Sequence, residues 1–459
     1  MMLSQDDEII IAQCTPKGSG ALALIRLTGM GALELGTSLS LLSSGKFLDQ
    51  MPTHTIHYGW VINGAKERID QVLFLVMRGP KTFTGQDTVE ITCHNNPFLV
   101  DAILSEAIKR GARIAQEGEF TKRAVLNSKI DLTQAEAINE LINAQTQHAL
   151  KKSLAQLSGS FSHIIHTLEQ KIIKAIALSE ASFEFIDEED MEFSSEIKAL
   201  ITETLDTIAT IKKTFNQQQQ IREGIRIALI GSVNAGKSSL FNTLLDKERA
   251  IVTNIAGTTR DVIEAGLYKA GNYWTLVDTA GLRETNDIIE QAGITRSYQA
   301  AHNADIILLI YDGSRDTTKA ESAVYQELFE RYQNKIILIQ SKADMHDAPK
   351  IVSFLKQGIK ISNKTKENIA HVEKTIEQKI AHLFDSLESP FLLNMRQFNL
   401  LATFENKLKT ILSLLHGQVA YELVSYHLND ALAHLAELTG KSISEAGMDA
   451  VFRDFCVGK

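Results

Sequence analysis

Residues 231–238, Gly-Ser-Val-Asn-Ala-Gly-Lys-Ser, constrain the fold of this chain more than any other segment. They fit the pattern G-x-x-x-x-G-K-[ST], in which the backbone N–H groups of a glycine-rich loop close around phosphates. The apolar run 225–230 predicts a buried strand before the loop, and 239–245 predicts a helix after it. The N-terminus of that helix adds partial positive charge at the same place. Lys237 is predicted to reach the β- and γ-phosphates, and the Ser238 hydroxyl to ligate Mg²⁺.

The 459-residue chain changes character along its length, and this length suggests about three domains. Residues 1–127 alternate short strands with turns, which predicts a separate α+β domain. Residues 128–221 and 385–459 show helical spacing of apolar residues and predict one discontinuous helical domain. Residues 222–384 alternate short apolar strands with helices. This rhythm predicts a parallel α/β sheet, the nucleotide domain, inserted between the two helical stretches.

Composition limits the class of protein further. With 44% apolar and 22% charged residues the chain reads as globular, and no apolar run reaches the roughly 20 residues of a membrane-spanning helix. An acidic N-terminus without a signal-peptide pattern predicts a soluble cytoplasmic protein. The three widely spaced cysteines indicate neither a zinc site nor a disulfide framework. Because the net charge is −9, any contact with nucleic acid would need a local basic patch.

Two further segments suit the phosphate end of a nucleotide site. Asp278 follows a predicted strand and begins the run Asp-Thr-Ala-Gly, where an acidic residue commonly holds Mg²⁺ through water. The N–H of Gly281 is predicted to meet the γ-phosphate. In the segment between the loop and this run, Thr259 is predicted to close on Mg²⁺, with Thr258 as the alternative.

The base is predicted to be read after the strand at 336–339. Asp344, in the run Ser-Lys-Ala-Asp, would accept hydrogen bonds from guanine N1–H and N2–H₂, a pair that adenine lacks, so GTP is favoured over ATP. The stem of Lys342 would stack over the base. Ser341 stands where asparagine is usual and is too short for that amide's contacts to the base and to the phosphate loop. Residues 361–364, Ile-Ser-Asn-Lys, resemble the last guanine-contacting loop.

The attacking water poses a separate question. Ras-like enzymes place glutamine directly after Asp-x-x-Gly to orient it, but this chain has Leu282, which cannot form a hydrogen bond to water. The water must then be positioned from elsewhere in the following segment. The charged candidates are Arg283, Glu284, Asp287 and Glu290.

The chain resembles the MnmE (TrmE) family of tRNA-modification GTPases. Within the nucleotide domain the resemblance rests on Asn234 and on residues 256–261 and 278–283. Elsewhere the matching segments are residues 12–16, 24–26, 83–87, 118–124, 126–132, 134–138 and the terminus 455–459, Phe-Cys-Val-Gly-Lys. The resemblance covers essentially the whole chain.

This resemblance implies a P-loop GTPase domain of the Ras-like type inserted in a discontinuous helical domain, with an N-terminal α+β domain that dimerises and binds tetrahydrofolate. It implies a K⁺-stimulated, Mg²⁺-dependent GTPase that works as a homodimer with the flavoprotein MnmG, in a heterotetramer. The complex would install a (carboxymethyl)aminomethyl group at C5 of wobble uridine 34 of certain tRNAs. The one-carbon unit would come from a 5-formyl- or 5,10-methylene-tetrahydrofolate.

The resemblance also implies roles for individual residues. Glu290 would position the water through a second water, with Lys237 and Arg283 as the other catalytic residues. Arg260, Asp261 and Arg283 match positions tied to pairing of two GTPase domains. The implied K⁺ ligands are Asn234, Thr253, Ile255 and Thr258, and the implied Mg²⁺ ligands are Ser238 and Thr259. The implied folate-binding residues are Arg26, Glu90, Lys129 and Lys459. The implied nucleotide-binding residues are Asn234, Ala235, Gly236, Lys237, Ser238, Ser239, Thr253, Asn254, Ile255, Ala256, Gly257, Thr258, Thr259, Asp278, Thr279, Ala280, Gly281, Ser341, Lys342 and Asp344.

Two positions and one alternative function stay open. Cys456 would act either as a nucleophile toward C6 of uridine or, the favoured reading, as a structural or substrate-positioning residue. Asn95 and Asn96 stand where the family has a glycine-rich turn, and asparagine tolerates positive φ, so the turn is expected to survive. The alternative function is an Era-like GTPase switch that binds RNA without modification chemistry.

Overall fold

The computed structural model describes residues 8–18, 20–184, 193–213, 215, 224–246, 263–278, 298–345, 353–385, 391–416 and 419–458. The chain divides into two compact units. One comprises Met1–Asn139, Ala155–Ile208 and Asn394–Lys459, and the other comprises Glu140–Leu154 and Ala209–Leu393. The domain boundaries expected from the sequence stay predictions. In the described part of the chain, no helix is both long and apolar enough to cross a membrane.

Thirteen helices, numbered in chain order, are described. They are α1 (Ala32–Leu39), α2 (Pro97–Lys109), α3 (Glu119–Leu126), α4 (Leu132–Asn143), α5 (Gln147–Leu157), α6 (Ser160–Glu184), α7 (Ser194–Lys213), α8 (Lys237–Asp246), α9 (Lys319–Tyr332), α10 (Ile369–Asp385), α11 (Met395–Leu414), α12 (Tyr421–Thr439) and α13 (Glu445–Phe452). Residues 298–303 are also helical.

The first unit contains a seven-stranded sheet. Its strands are β1 (Ile10–Gln13), β2 (Leu22–Thr28), β3 (Ser40–Leu42), β4 (Thr55–Ile62), β5 (Arg68–Met77), β6 (Thr88–His94) and β7 (Arg113–Ile114). Their order is β3-β4-β5-β6-β2-β1-β7, antiparallel except for the parallel pair β1–β7. Alternate residues of β2, β5 and β6 point into one core, which includes Ile25, Phe74 and Ile91 and is shared with α1 and α2. This period of two is what a half-buried strand requires.

The turn before α2 differs from the expectation. Asn96 has φ −106° and forms the N-cap of α2, its side chain accepting a hydrogen bond from the Phe98 N–H at 3.0 Å. The left-handed conformation anticipated there is therefore not used. The reason is local, because Pro97 opens the helix at its first position and an asparagine before it satisfies a free N–H group.

A buried ion pair joins helical segments that are 260 residues apart in sequence. Arg396, in the first turn of α11, places Nε and Nη2 at 2.7 and 2.8 Å from the two carboxylate oxygens of Glu136 in α4. Gln397 donates a third hydrogen bond to Glu136 at 2.6 Å, and Arg396 also reaches the carbonyls of Glu437 and Leu438 at the end of α12. Since the Glu136 side chain is only 7% exposed, its charge needs these partners.

The second unit is built on a six-stranded sheet. Its strands are β8 (Ile225–Gly231), β9 (Ile263–Lys269), β10 (Asn272–Asp278), β11 (Ile306–Asp312), β12 (Ile336–Ser341) and β13 (Ile359–Lys360). The order is β13-β12-β11-β8-β10-β9, parallel except for the hairpin β9–β10. Sequence analysis did not identify β9, which joins the sheet antiparallel through the turn Ala270–Gly271.

Both faces of this sheet are covered. Along β11, Ile306, Leu308 and Ile310 belong to one apolar cluster, whereas Ile307 and Leu309 belong to another. Near-continuous burial of this kind is typical of a parallel sheet with helices on both sides. The α/β sheet, the mixed α+β sheet and the helices of the first unit together confirm the predicted fold class.

Candidate functional site

The phosphate-binding loop leaves the carboxyl end of β8, next to β11. An ideal Cβ added at Gly231 would lie 2.1 Å from the carbonyl oxygen of Ile310, so only glycine fits where the two strands meet. The loop then runs from Ser232 to Gly236, and α8 begins at Lys237. Ligands of open α/β sheets bind at the carboxyl ends of such strands.

The loop uses two residues in the left-handed region. Asn234 has φ +61° and Gly236 has φ +92°, and the Ala235 N–H donates to the Ser232 carbonyl at 3.2 Å. Asparagine and glycine are the residues that adopt this conformation at least strain. Consecutive N–H groups in such a turn form a concave anion site, which here lies directly before a helix N-terminus.

Lys237 lies folded over the loop. Its Nζ donates to the carbonyls of Gly231 and Ser232, both at 2.7 Å, and the residue is only 6% exposed. Burial lowers the pKa of Lys237, and the charge of Asp278 acts in the opposite direction. The ammonium group is thus held at the loop with few solvent contacts, where it suits a phosphate.

Two candidate Mg²⁺ ligands follow neighbouring strands, Ser238 after β8 and Asp278 at the end of β10. Ser238 is exposed in the first turn of α8, while Asp278 is buried at the end of β10, which runs parallel to β8. Asp278 is the register partner of Leu229, near the end of β8 from which the loop leaves. A hydroxyl and a carboxylate are hard oxygen ligands of the type that Mg²⁺ prefers.

Two residues that sequence analysis missed hold the start of the loop. The Tyr325 hydroxyl of α9 accepts from the Ser232 N–H at 2.8 Å and donates to the Ile310 carbonyl at 3.2 Å. Arg315 lies 3.4 Å from the Ser232 hydroxyl and forms an ion pair with Glu321. Burial raises the pKa of Tyr325, so the hydroxyl keeps its proton at neutral pH. No local pattern indicated this contact, since Tyr325 lies 93 residues from Ser232.

The base-reading segment follows β12, two strands from β8. Ser341 is fully buried, and its hydroxyl donates to the Tyr311 carbonyl at 3.1 Å. Lys342, at φ +59°, places Nζ 2.5 Å from the Asp312 carboxylate. Burial alone would raise the pKa of Asp312, but hydrogen bonds from Lys342 and Ser314 outweigh it and lower that pKa.

Asp344 is available to a ligand. A hydrogen bond with the Ser362 side chain is the main cause that lowers the pKa of Asp344, so its carboxylate is ionised at neutral pH. The Ala343 N–H donates to the Ile361 carbonyl at 2.9 Å and joins this segment to the loop at 361–364. The two loops expected to contact guanine are therefore side by side.

A second group of candidates meets on the sheet of the first unit. Arg26 and Glu90 are cross-strand partners on β2 and β6, with Arg26 Nε 2.8 Å from Glu90 Oε1. The Arg26 guanidinium lies 5.5 Å from the ring centre of Phe120 and 6.0 Å from that of Phe83. Lys129 is exposed and donates to the Pro80 carbonyl at 2.8 Å, in the turn that carries Phe83.

The C-terminal tail reaches the end of β1, the strand that pairs with β2. Val457 forms a β-bridge with Glu117, and the Cys456 carbonyl accepts from the Gly118 N–H at 3.4 Å. At Gly458, φ is +94° and an added Cβ would lie 2.7 Å from the Gln13 carbonyl oxygen, at the end of β1. The Cys456 side chain is exposed, so its role is not core packing.

Several candidates lie outside the described residues. They are Thr253, Asn254, Ile255, Ala256, Gly257, Thr258, Thr259, Arg260, Asp261, Thr279, Ala280, Gly281, Leu282, Arg283, Glu284, Asp287, Glu290 and Lys459.

The phosphate loop on its α/β sheet defines this chain as a P-loop nucleotide-binding protein. A family model described as the MnmE helical domain matches residues 132–456, and one described as the GTP-binding protein TrmE N-terminus matches residues 9–129. The chain is 35% identical to the tRNA modification GTPase MnmE of Parabacteroides distasonis, covering 98% of this chain and 99% of that protein. The chain is 35% identical to the Bacillus subtilis protein of the same name, covering 98% of this chain and 100% of that protein. It is 37% identical to the protein of Lactococcus lactis subsp. cremoris, covering 100% of each. The chain therefore belongs to the MnmE family of tRNA modification GTPases, which confirms the resemblance seen in the sequence.

Two similar solved structures each cover less than half of this chain. The G domain of the T. maritima FeoB iron transporter is 26% identical over 34% of this chain and 98% of that one, with a TM-score of 0.26. Era in complex with MgGDPNP and nucleotides 1506–1542 of 16S ribosomal RNA is 23% identical over 42% and 68%, with a TM-score of 0.28.

Proposed function

We propose that this protein hydrolyses GTP to GDP and phosphate, and that hydrolysis drives modification of the wobble uridine 34 of certain tRNAs. The observation that carries the proposal is the phosphate loop with Lys237 buried against it, two strands from the ionised Asp344. Membership of a family of tRNA modification GTPases supports the second half.

The residues around the loop suit phosphoryl transfer. Lys237 would pair with the β- and γ-phosphates, and Ser238 and Asp278 would hold Mg²⁺, Asp278 through water. The ion held there would supply positive charge that neutralises negative charge as it develops on the phosphates. Glu290 is proposed to position the attacking water and Arg283 to act in the same segment. The division into residues 1–127, 128–221 with 385–459, and 222–384 is proposed as the functional domain arrangement.

We infer that K⁺ takes the place of an arginine beside the phosphates. Asn234 is exposed on the loop, and its amide oxygen is a suitable ligand for a monovalent cation. Such a cation would stabilise the transition state electrostatically. Thr253, Ile255 and Thr258 are proposed as the other ligands.

The wild type is expected to hydrolyse GTP faster in K⁺ than in Na⁺ at equal ionic strength. Replacing Asn234 by alanine is expected to abolish this difference. The reason is loss of the amide ligand. Asn234→Gly should behave in the same way, and it avoids the strain of alanine at φ +61°. The neighbouring Val233→Ala is the matched control, since Val233 is 72% exposed and offers no side-chain ligand. Equal wild-type rates in the two salts would overturn the K⁺ proposal.

A tetrahydrofolate derivative, 5-formyl- or 5,10-methylene-tetrahydrofolate, is proposed to bind at Arg26 and Glu90. A carboxylate can accept hydrogen bonds from a pterin N–H edge, while Lys129 and Lys459 suit the anionic glutamate tail. The position of Gly458 against β1 supports this, because β1 pairs with the strand that carries Arg26. The one-carbon unit would be used at C5 of uridine together with the flavoprotein MnmG, in a heterotetramer.

Glu90→Gln is expected to weaken binding of 5-formyltetrahydrofolate by roughly tenfold or more, because a charge-assisted hydrogen bond becomes a neutral one. Isothermal titration calorimetry gives the dissociation constant. Glu67→Gln serves as the control, since Glu67 is exposed between β4 and β5 of the same sheet. Unchanged affinity in Glu90→Gln would exclude Glu90 as a ligand.

A homodimer is proposed through the outer face of the first unit's sheet. Ile56 and Tyr58 on β4, Leu73 on β5 and Leu41 on β3 are 44–64% exposed. Register places them on one face, with Tyr58 opposite Leu73 and Leu41 opposite Trp60. A contiguous exposed apolar face is typical of an interaction surface, and a second copy would cover it. Sedimentation equilibrium showing the mass of a single chain at micromolar concentration would overturn this.

A further inference from the structure

Ser341 leaves two contacts unmade in the nucleotide site. Asparagine at this position would connect the base-reading segment to the phosphate loop and also face the base. In this protein the Ser341 hydroxyl donates instead to the Tyr311 carbonyl, within its own sheet, and the residue is fully buried. The Ser341 hydroxyl therefore already has a hydrogen-bond partner, and the side chain is too short to reach a carbonyl of the phosphate loop. Either the site lacks these contacts or another side chain makes them.

Asn363 occupies the space between the two loops. It lies in the segment after Ile361, and its Nδ2 donates to the carbonyl of Gly236 at 3.5 Å. An ideal Cβ at Gly236 would lie 3.4 Å from Ser341 Cβ and 3.6 Å from Asn363 Nδ2, so the three residues meet. The amide of Asn363 thus connects a base-reading loop to the phosphate loop.

The other end of the same amide is unsatisfied. Asn363 Oδ1 is buried and finds no hydrogen-bond partner among the described residues. A buried polar oxygen without a partner is unfavourable, and bound ligand or water at this site would relieve it. The bond to Gly236 uses one of the two N–H groups of Nδ2, so the second N–H, like Oδ1, can still bond a ligand or water at the nucleotide site.

The loop that carries Asn363 is held in place. Asn368 Nδ2 donates to the Lys360 carbonyl at 2.8 Å, and the Thr365 N–H donates to the Ser362 hydroxyl at 3.1 Å. Ser362 in turn forms a hydrogen bond with Asp344, the residue expected to read guanine. Asn363 is therefore next to a residue in direct contact with Asp344, on a loop whose conformation does not depend on Asn363 alone.

We propose that Asn363 performs the task that Ser341 cannot, connecting the base loop to the phosphate loop and presenting its amide to the purine ring. The Gly236 carbonyl uses one N–H of Nδ2, and the second N–H would donate to an acceptor nitrogen of the five-membered ring, which guanine and adenine share. Asn363 thus contributes affinity, while selection of guanine rests with Asp344. This assignment rests on the proposed function, in that the site must bind a guanine nucleotide.

The test is the dissociation constant for GDP. Asn363→Ala is expected to weaken GDP binding roughly tenfold, the effect of losing about two neutral hydrogen bonds. Asn363→Asp keeps the shape but removes the donor, and it should weaken binding at least as much. Ser341→Asn in the Asn363→Ala background should restore most of the affinity. Asn334→Ala, an exposed asparagine before β12 in the same unit, should leave affinity unchanged.

The outcomes separate this assignment from the proposed function. Wild-type affinity in both Asn363 variants, with wild-type melting temperatures, would overturn the role of Asn363 and leave the GTPase proposal intact. A wild type that binds no GDP would overturn both. Weak binding in both variants with rescue by Ser341→Asn would establish the assignment, since a mere folding defect at residue 363 could not be rescued from residue 341.

Discussion

GTP hydrolysis is expected to fall by about a hundredfold or more when Lys237 is replaced by alanine. The ammonium group lies against the loop through the carbonyls of Gly231 and Ser232, where phosphates would be enclosed. Preorganised charge at the position where negative charge develops is among the largest contributions to catalysis, and removing one donor commonly costs about 10²–10³ in rate. Single-turnover hydrolysis at saturating GTP measures the chemical step directly.

The matched control for Lys237 is Lys319→Ala. Lys319 is exposed at the first position of α9 in the same unit, and it should keep the wild-type rate. Lys237→Ala should also melt at a temperature close to that of the nucleotide-free wild type, because burial opposes the charge of the native lysine. Hydrolysis by Lys237→Ala within about threefold of wild type would contradict the proposed site.

Asp344→Asn is expected to reduce affinity for GDP by about a hundredfold or more and to raise affinity for xanthosine diphosphate. The carboxylate accepts hydrogen bonds from N1–H and N2–H₂ of guanine. In the asparagine variant the amide NH₂ group would face one of these guanine N–H groups, and two donors cannot form a hydrogen bond. Xanthine carries an oxygen in place of the guanine amino group and so restores a donor–acceptor match. Sites built to hydrogen-bond a ligand discriminate strongly because mismatched buried groups are left unpaired.

Competition titrations with GDP, ADP and xanthosine diphosphate check this prediction. Asp101→Asn, an exposed aspartate on α2, is the control and should show wild-type preferences. The wild type should prefer GDP over ADP. If Asp344→Asn retained that preference at full affinity, guanine would have to be read by other residues, and the assignment of GTP from Asp344 would fail.

Local patterns correctly predicted the strand and the helix that flank the phosphate loop, because both are continuous in sequence. The strand, loop and helix around residues 225–246 form from adjacent residues, and the glycine and lysine positions follow from backbone conformation and charge. The strand β9 was missed for the opposite reason. Its run Ile-Glu-Ala-Gly-Leu-Tyr-Lys contains a glycine and two charges, and it pairs as a strand only because β10 lies beside it. The conformation of Asn96 likewise follows from a neighbouring element, the helix that Pro97 begins.

The sequence alone indicated the class of protein and the family, because spacing along the chain determines local backbone geometry. Contacts between distant residues could be decided only by the tertiary structure. Three hydrogen bonds show this, because their partners lie 93, 260 and 127 positions apart in sequence. They join Tyr325 to Ser232, Arg396 to Glu136 and Asn363 to Gly236, respectively. Their pairing depends on how the strands are ordered and how the helices pack, and burial then makes each unmatched polar atom unfavourable. The sequence indicated residues 361–364 as a guanine-contacting loop, but only the tertiary structure shows the Asn363 side chain at the Gly236 carbonyl.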